Sequence, residues 1–163
     1  MLPYPEYIKS LPKKIVASGA LVFGDTDRTQ ILILKMTYKD NWVIPGGVLD
    51  AGESPVLACE REIKEEIGLT MSIRRLLCLD YRLKTDAMLQ DDSLQFIFDG
   101  GVLTAEQKQT IKLNPEEHSE YRFVPVEKAL GPLFDVLSAR IPHAMRAMKE
   151  KTTVYLEGGR PLL

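Results

Sequence analysis

Residues 54–69 read SPVLACEREIKEEIGL, and this stretch frames the rest of the chain. Val56, Cys59, Ile63 and Ile67 recur at spacings of three and four, so they share one stripe of a helix with about 3.6 residues per turn. The ends agree with that reading. Ser54 and Pro55 suit the N-cap and first helical position, and Gly68 suits the left-handed residue past the last turn. A helix over 54–67 follows. On its wheel Glu62, Glu65 and Glu66 fall within an arc of roughly 100 degrees, away from the apolar stripe. Like charges at these spacings destabilise a helix by about 0.2–0.5 kcal/mol per pair. Arg61 can reach Glu65 one turn on, but it cannot neutralise all three carboxylates. A hard divalent cation held by carboxylate oxygens would do so. The plainer reading is a solvated Glu- and Lys-rich face.

Working outward, WVIPGG (42–47) places Pro45, Gly46 and Gly47 just before the helix-entry loop, where a backbone without Cβ atoms can approach a ligand closely. Glu53 stands eight positions before Arg61, where a folded loop would bring its carboxylate back onto the guanidinium. Trp42 is a candidate to stack on a substrate ring, as are Tyr38, Tyr81 and Phe96, with core packing as the alternative for each. Upstream, IVASGALVFG (15–24) and QILILKM (30–36) flank the polar DTDRT and predict a β-hairpin. Downstream, SIRRLLCLDY (72–81), SLQFIFDGGVL (93–103) and EYRFVPV (120–126) read as strands. VEKALGPLFDVLSAR (126–140) and PHAMRAMKE (142–150) read as two helices, and TVYLE (153–157) as a last strand. The irregular alternation predicts an α/β chain of the α+β kind, with a mixed sheet between helices.

Neither a repeat nor a linker divides the sequence, so residues 1–163 are expected to form one domain. Residues 1–14, punctuated by Pro3, Pro5 and Pro12, are expected to form a surface arm without a helix, and 141–163 a helix-and-strand extension. The stripes Leu133, Phe134, Leu137 and Ala144, Met145, Met148 suit core or a homodimer surface. With 21 Lys and Arg against 23 Asp and Glu, the net charge of −2 gives no general attraction for a nucleic-acid polymer or an anionic membrane. Phosphate chemistry would have to be local. The apolar run 15–23 falls short of the roughly 20 residues that span a bilayer and reads as a buried strand rather than a signal segment. Cys59 and Cys78 have no metal-ligand spacing and read as small core hydrophobes of a reduced, cytoplasmic protein.

Gly47, then five residues to Glu53, then seven residues to Arg61-Glu62-Ile63-Lys64-Glu65-Glu66-Ile67-Gly68-Leu69, resembles the Nudix box at every specified position. The hairpin, the WVIPGG lead-in and the later strands resemble the Nudix hydrolase α/β/α sandwich over most of 13–140. The resemblance implies hydrolysis of a nucleoside diphosphate linked to another moiety, a small-molecule nucleotide, with Mg²⁺ or Mn²⁺. It also implies that Glu62, Glu65 and Glu66 are metal ligands, joined by a carbonyl of Gly46 or Gly47, and that Arg61 and Glu53 orient them. A further carboxylate often comes from a loop before a late strand. Here Glu116, Glu117 and Glu120 are available, and Glu117 fits best by its spacing from Phe123. His118 reads as a solvated loop residue and His143 as a helix-start residue. The proline that ADP-ribose-cleaving relatives carry beyond the box is missing, and Thr85 stands near its place. The tyrosine of dinucleoside-polyphosphate cleavers is missing too, Tyr81 being too early, as is the upstream motif of coenzyme A pyrophosphatases. These absences lean toward a nucleoside triphosphate or a generic nucleoside diphosphate derivative. The alternative is a non-catalytic Nudix-fold sensor of nucleotide or ADP-ribose, which a degraded box would mark; this box is intact.

Overall fold

The computed structural model describes residues 3–73, 75–84, 92–131, 133 and 135–162; Thr85 and Phe134 lie outside them. In chain order the elements are α1 (Tyr4–Ser10), β1 (Ile15–Phe23), β2 (Gln30–Met36), β3 (Trp42–Val43), β4 (Gly46–Val48), α2 (Pro55–Ile67), β5 (Arg75–Arg82) and β6 (Ser93–Val102). They continue with α3 (Ala105–Gln109), β7 (His118–Pro125), α4 (Val126–Ala129), α5 (Asp135–Glu150), β8 (Val154–Glu157) and β9 (Arg160–Pro161).

The strands form a mixed sheet in the order β3-β2-β1-β6-β5-β8-β9, with β4 on β1 and β7 on β2. β1–β6 and β5–β8 are parallel, and the other pairs are antiparallel. The predicted hairpin forms, but β1 and β2 are in register only at Phe23↔Ile31. From there they fork. β4 takes the vacated edge of β1, with Ser18↔Gly47 and Gly19↔Gly46 opposite one another.

Both faces of the sheet are covered, which explains why the strands read as continuous apolar runs rather than alternating ones. Ala20, Val22, Leu32 and Leu34 pack on one side against Cys59, Ile63 and Ile67 of α2. Leu21, Phe23, Ile31 and Ile33 pack on the other against Ile141 and Ala144 of α5. α2 starts and stops where its sequence indicates: the Ser54 hydroxyl accepts from the Leu57 amide at 3.3 Å, and Gly68 is left-handed at φ 75.

Two expectations are corrected. The arm holds a helix, α1, because Pro3 is its N-cap and Pro5 sits in the first turn, where the missing N–H has no intrahelical partner to lose. Pro12 lies past the C-cap, so the prolines frame this exposed turn of helix instead of interrupting it. The two helices expected over 126–150 are instead the short α4 and a long α5 that carries Pro142 within it. Burial of Ile141 and Ala144 beside the proline outweighs the hydrogen bond it removes, and His143 therefore lies inside a helix and not at its start. β8 pairs with β5 through Cys78↔Val154 and Asp80↔Leu156, so the extension completes the same sheet. Leu133 and Ala144 are buried, with Leu137, Met145 and Met148 packed beside them, which makes those stripes core. Among the described residues no helix is long and apolar enough to cross a membrane.

Candidate active site

Arg61 organises the entry to α2. Its Nε and Nη2 donate to the two oxygens of Glu53 at 2.9 and 3.0 Å, a bidentate pair that folds the 48–53 loop onto the helix. Nη1 donates to Glu62 at 3.0 Å and to Glu65 at 2.9 Å, and Nη2 also reaches the Val48 carbonyl at 3.2 Å. Arg61 holds the Glu53 carboxyl below its usual value, and Glu53 leads the partners that raise the guanidinium further. Glu65 keeps half its side chain in solvent. Glu62 is largely buried, and that burial raises its pKa against the pull of Arg61.

Gly46 and Gly47 are present for steric reasons. A Cβ on Gly46, at φ +144, would overlap the Ser18 carbonyl, and one on Gly47 would overlap the Glu62 carboxylate. The backbone and Glu62 are therefore in direct apposition. One turn beyond, Glu66 is 3% exposed. Its Oε2 accepts from the Gly46 amide at 2.8 Å and its Oε1 lies 2.7 Å from His118 Nε2. Burial raises the Glu66 pKa, with His118 and the Gly46 amide opposing. Burial works against a charged His118, but the hydrogen bond and charge of Glu66, with Glu117, outweigh it and raise the imidazole pKa.

The loop before β7 is clamped to α2 by its backbone. The Asn114 amide donates to the Glu66 carbonyl at 3.0 Å and the Lys112 amide to the Ile67 carbonyl at 3.0 Å. The His118 amide in turn donates to the Asn114 carbonyl at 2.9 Å. This brings Glu117 beside Glu66, where its Oε1 accepts from Asn114 Nδ2 at 2.8 Å. Glu66, Glu117 and His118 offer ligand atoms that all lie within 4.8 Å of one another. Their oxygens, with Glu62 one turn away and no cysteine in the group, suit a hard divalent cation better than a soft one.

The structure thus brings together Glu53, Arg61, Glu62, Glu65, Glu66, Gly46, Gly47 and Glu117. Glu120 is taken by Arg122 at 2.6 Å and Glu116 is exposed. Trp42 is 8% exposed within the core, with the Arg122 guanidinium 4.7 Å from its ring centre. Phe96 stacks on Phe98, the Tyr81 hydroxyl donates to Asp92 at 2.9 Å, and Tyr38 is exposed. His118 is the residue that sequence reasoning undervalued: it is buried, and its position depends on the Asn114 clamp, which no local pattern announces. Both cysteines are buried and free, with thiols pushed up to about 12 by that burial.

On the α5 side of Gly46 and Gly47 lies a cleft of about 310 Å³. Ala17 and Gly19 line it together with Ile44, Ile97, Val136 and Leu137, and its polar lining includes Arg82, Ser93, Gln95 and Arg140. The carboxylate cluster and the cleft therefore meet at one glycine segment.

A family model described as NUDIX domain matches residues 13–147. The solved structure of the MutT protein from Methanosarcina mazei Go1 superposes with a TM-score of 0.67 at 27% identity, over 87% of this chain and 99% of that one. A UDP-X diphosphatase, 19% identical, shares the fold with a TM-score of 0.72 over 96% of this chain and 76% of that one. An RNA pyrophosphohydrolase from Ruthia magnifica subsp. Calyptogena magnifica is 46% identical over 44 residues, which are 27% of this chain and 25% of that protein. The chain spans 7% to 34% of the length of the curated relatives it matches.

Proposed function

The chain belongs to the NUDIX domain family, and from that premise we propose that it hydrolyses a pyrophosphate bond in a nucleoside diphosphate linked to another moiety, using Mg²⁺ or Mn²⁺. The observation that supports this most is the buried Glu66 carboxylate, held between the Gly46 amide and His118 beside Glu117. A packed core gains nothing from three acidic or titratable groups so close together, whereas a cation-binding site needs them.

Glu62, Glu65 and Glu66 would hold the cation, with a carbonyl of Gly46 or Gly47. When bound, such an ion neutralises phosphate charge and polarises the P–O bonds. The remaining work belongs to the chain. Arg61, locked by Glu53, fixes the carboxylates of Glu62 and Glu65. His118 fixes Glu66. The absence of Cβ atoms at 46 and 47 lets this backbone segment lie against the Ser18 carbonyl and the Glu62 carboxylate. Glu117, exposed and next to Glu66, accepts a proton from the attacking water as its oxygen joins phosphorus. The bridging oxygen then leaves on the departing phosphate.

The test is a panel of nucleoside triphosphates and nucleoside diphosphate derivatives incubated with the purified chain and Mg²⁺ or Mn²⁺, with released phosphate, pyrophosphate and nucleotide measured. Turnover that stops with EDTA and returns with added metal is expected. Turnover that survives rigorous chelation overturns the metal requirement, and no turnover across the panel overturns the hydrolase reading.

A further inference from the structure

The cleft beside Gly46 and Gly47 carries polar side chains for which cleavage of a pyrophosphate bond has no use. Cross-strand pairing sets their direction. On β5 and β6, Cys78 faces Ile97 within the α5-side core, so the pairs Asp80↔Gln95 and Arg82↔Ser93, two and four residues along, point to that same side. The side chains of Arg82, Ser93 and Gln95 make no hydrogen bond to the described residues.

Arg140 enters from α5 and is 5% exposed. Its Nε donates to Asp80 Oδ2 at 2.5 Å, and the other oxygen of the fully buried Asp80 accepts from the Gly159 amide at 2.9 Å. Asp80 is thereby consumed, while the two Nη groups of Arg140 bond to none of the described residues. Neither Nη atom is among the buried atoms left without a partner, so the free edge of the guanidinium reaches the cleft that Arg140 lines, where a ligand can meet it.

The free edge of a guanidinium is a rigid pair of donors that matches two neighbouring acceptors. Guanine presents N7 and O6 as such acceptors, and uracil or thymine presents a carbonyl oxygen, whereas adenine and cytosine place an amino donor at the equivalent position. Gln95 and Ser93 can accept as well as donate, but Arg82 and Arg140 make the lining richer in donors than in acceptors, and no carboxylate lines it to receive an amino group. The apolar Ile44, Ile97, Val136 and Leu137 suit the faces of a ring, and about 310 Å³ is room for one nucleoside-sized group. We propose that Arg140, oriented by Asp80, determines specificity in this cleft and selects nucleotides with keto bases (guanine, uracil, thymine) over those with amino bases (adenine, cytosine). This selectivity rests on the reading of the chain as a nucleotide hydrolase.

The test has a binding arm and a turnover arm, both on the full chain. In EDTA, calorimetry with GMP, UMP, AMP and CMP is expected to show the keto nucleotides binding roughly ten-fold or more tightly than the amino ones. 7-Deaza-GMP, which lacks one acceptor, is expected to lose most of that advantage without any change to the protein. Arg140→Lys keeps the charge but not the fork, and it is expected to bring the four affinities within about three-fold of one another. With Mg²⁺, kcat/KM for GTP and UTP is expected to exceed that for ATP and CTP by a similar factor. Equal affinities, or a preference for AMP and CMP, overturn the proposal, as does an undiminished preference in Arg140→Lys. Turnover of every nucleotide without base preference sinks the selectivity and leaves the hydrolase reading standing. Keto-selective binding with no turnover does the reverse.

Discussion

Two buried carboxylates on opposite sides of the sheet have been given opposite surroundings. Asp80, on the α5 side, has no exposure, and its two oxygens meet the Arg140 guanidinium and the Gly159 amide. Glu66, on the α2 side, is nearly as buried, but among the described residues its carboxylate meets an imidazole and one amide, and Glu117 stands close by. Arg61, on the same helix, is divided among Glu53, Glu62 and Glu65. The first arrangement is an ion pair that fastens α5 and the β8–β9 turn to β5. The second leaves negative charge under-compensated in a place where burial alone would remove it, which suits a site that completes itself with a cation. Similar burial of two acids therefore carries opposite meanings, and the partners decide which.

The largest effect expected from this contrast is catalytic. Glu66→Gln keeps an acceptor for the Gly46 amide and a partner for His118, but it gives up the charge. It should lower kcat by roughly two to four powers of ten while the melting temperature in EDTA stays close to the wild type. A large loss of melting temperature would place Glu66 with Asp80 as a structural acid and dissolve the comparison.

On the other side the effect should fall on stability. Arg140→Met leaves Asp80 buried without its cation, a change that costs about 3–5 kcal/mol in comparable cases. For a chain of this size that corresponds to a melting temperature lower by about 6–20 °C. Thermal unfolding with and without Mg²⁺ checks this, and a variant as stable as the wild type would show that the pair is dispensable.

A smaller effect is expected at the seam between the two regions. Gly47→Ala would drive a methyl group into the Glu62 carboxylate, so the side chain must move. Displacement of a positioned group by about 1 Å costs activity by up to roughly a hundred-fold. The expected result is a kcat lower by about ten- to a hundred-fold with the fold retained, measured beside circular dichroism. Unchanged kcat would mean that Glu62 is free to settle elsewhere.

These regions differed in how far sequence could reveal them. α2 was legible because its apolar spacing, Ser54 cap and Gly68 stop all lie within one local segment, and the Arg61–Glu53 pair followed from a short loop. α3 was missed although Thr104 and Gln107 form a reciprocal capping box, because its apolar stripe is too short to register as a period. α1 was missed because prolines in a first turn were weighed as if they lay in a helix interior. His118 and the Asp80–Arg140 pair were out of reach for a different reason. Each depends on elements distant in sequence: His118 is brought to Glu66 across 52 positions and Arg140 to Asp80 across 60. No spacing rule carries that information; sheet order does.

The smallest expected effect concerns an acid at the surface, which isolates what burial contributes to the other two. Asp92 accepts from Lys14, from the Tyr81 hydroxyl at 2.9 Å and from the Lys84 amide at 2.7 Å, and with Lys14 as the leading cause its pKa is depressed to about 2. A carboxyl with a folded-state pKa below its unfolded value near 3.8 stabilises the fold fully above that unfolded value. The contribution disappears as pH falls through about 2. Because solvent screens the group, the stabilisation should be slight, far less than that lost in Arg140→Met. Carboxyl NMR titration should place the Asp92 midpoint near 2, and Asp92→Asn should flatten the fall in unfolding stability between about pH 4 and pH 2 without touching kcat at neutral pH. A midpoint near 3.8 would mean that the Lys14 contact does not persist in solution, and that strong pairing of acids in this protein is confined to its buried layers.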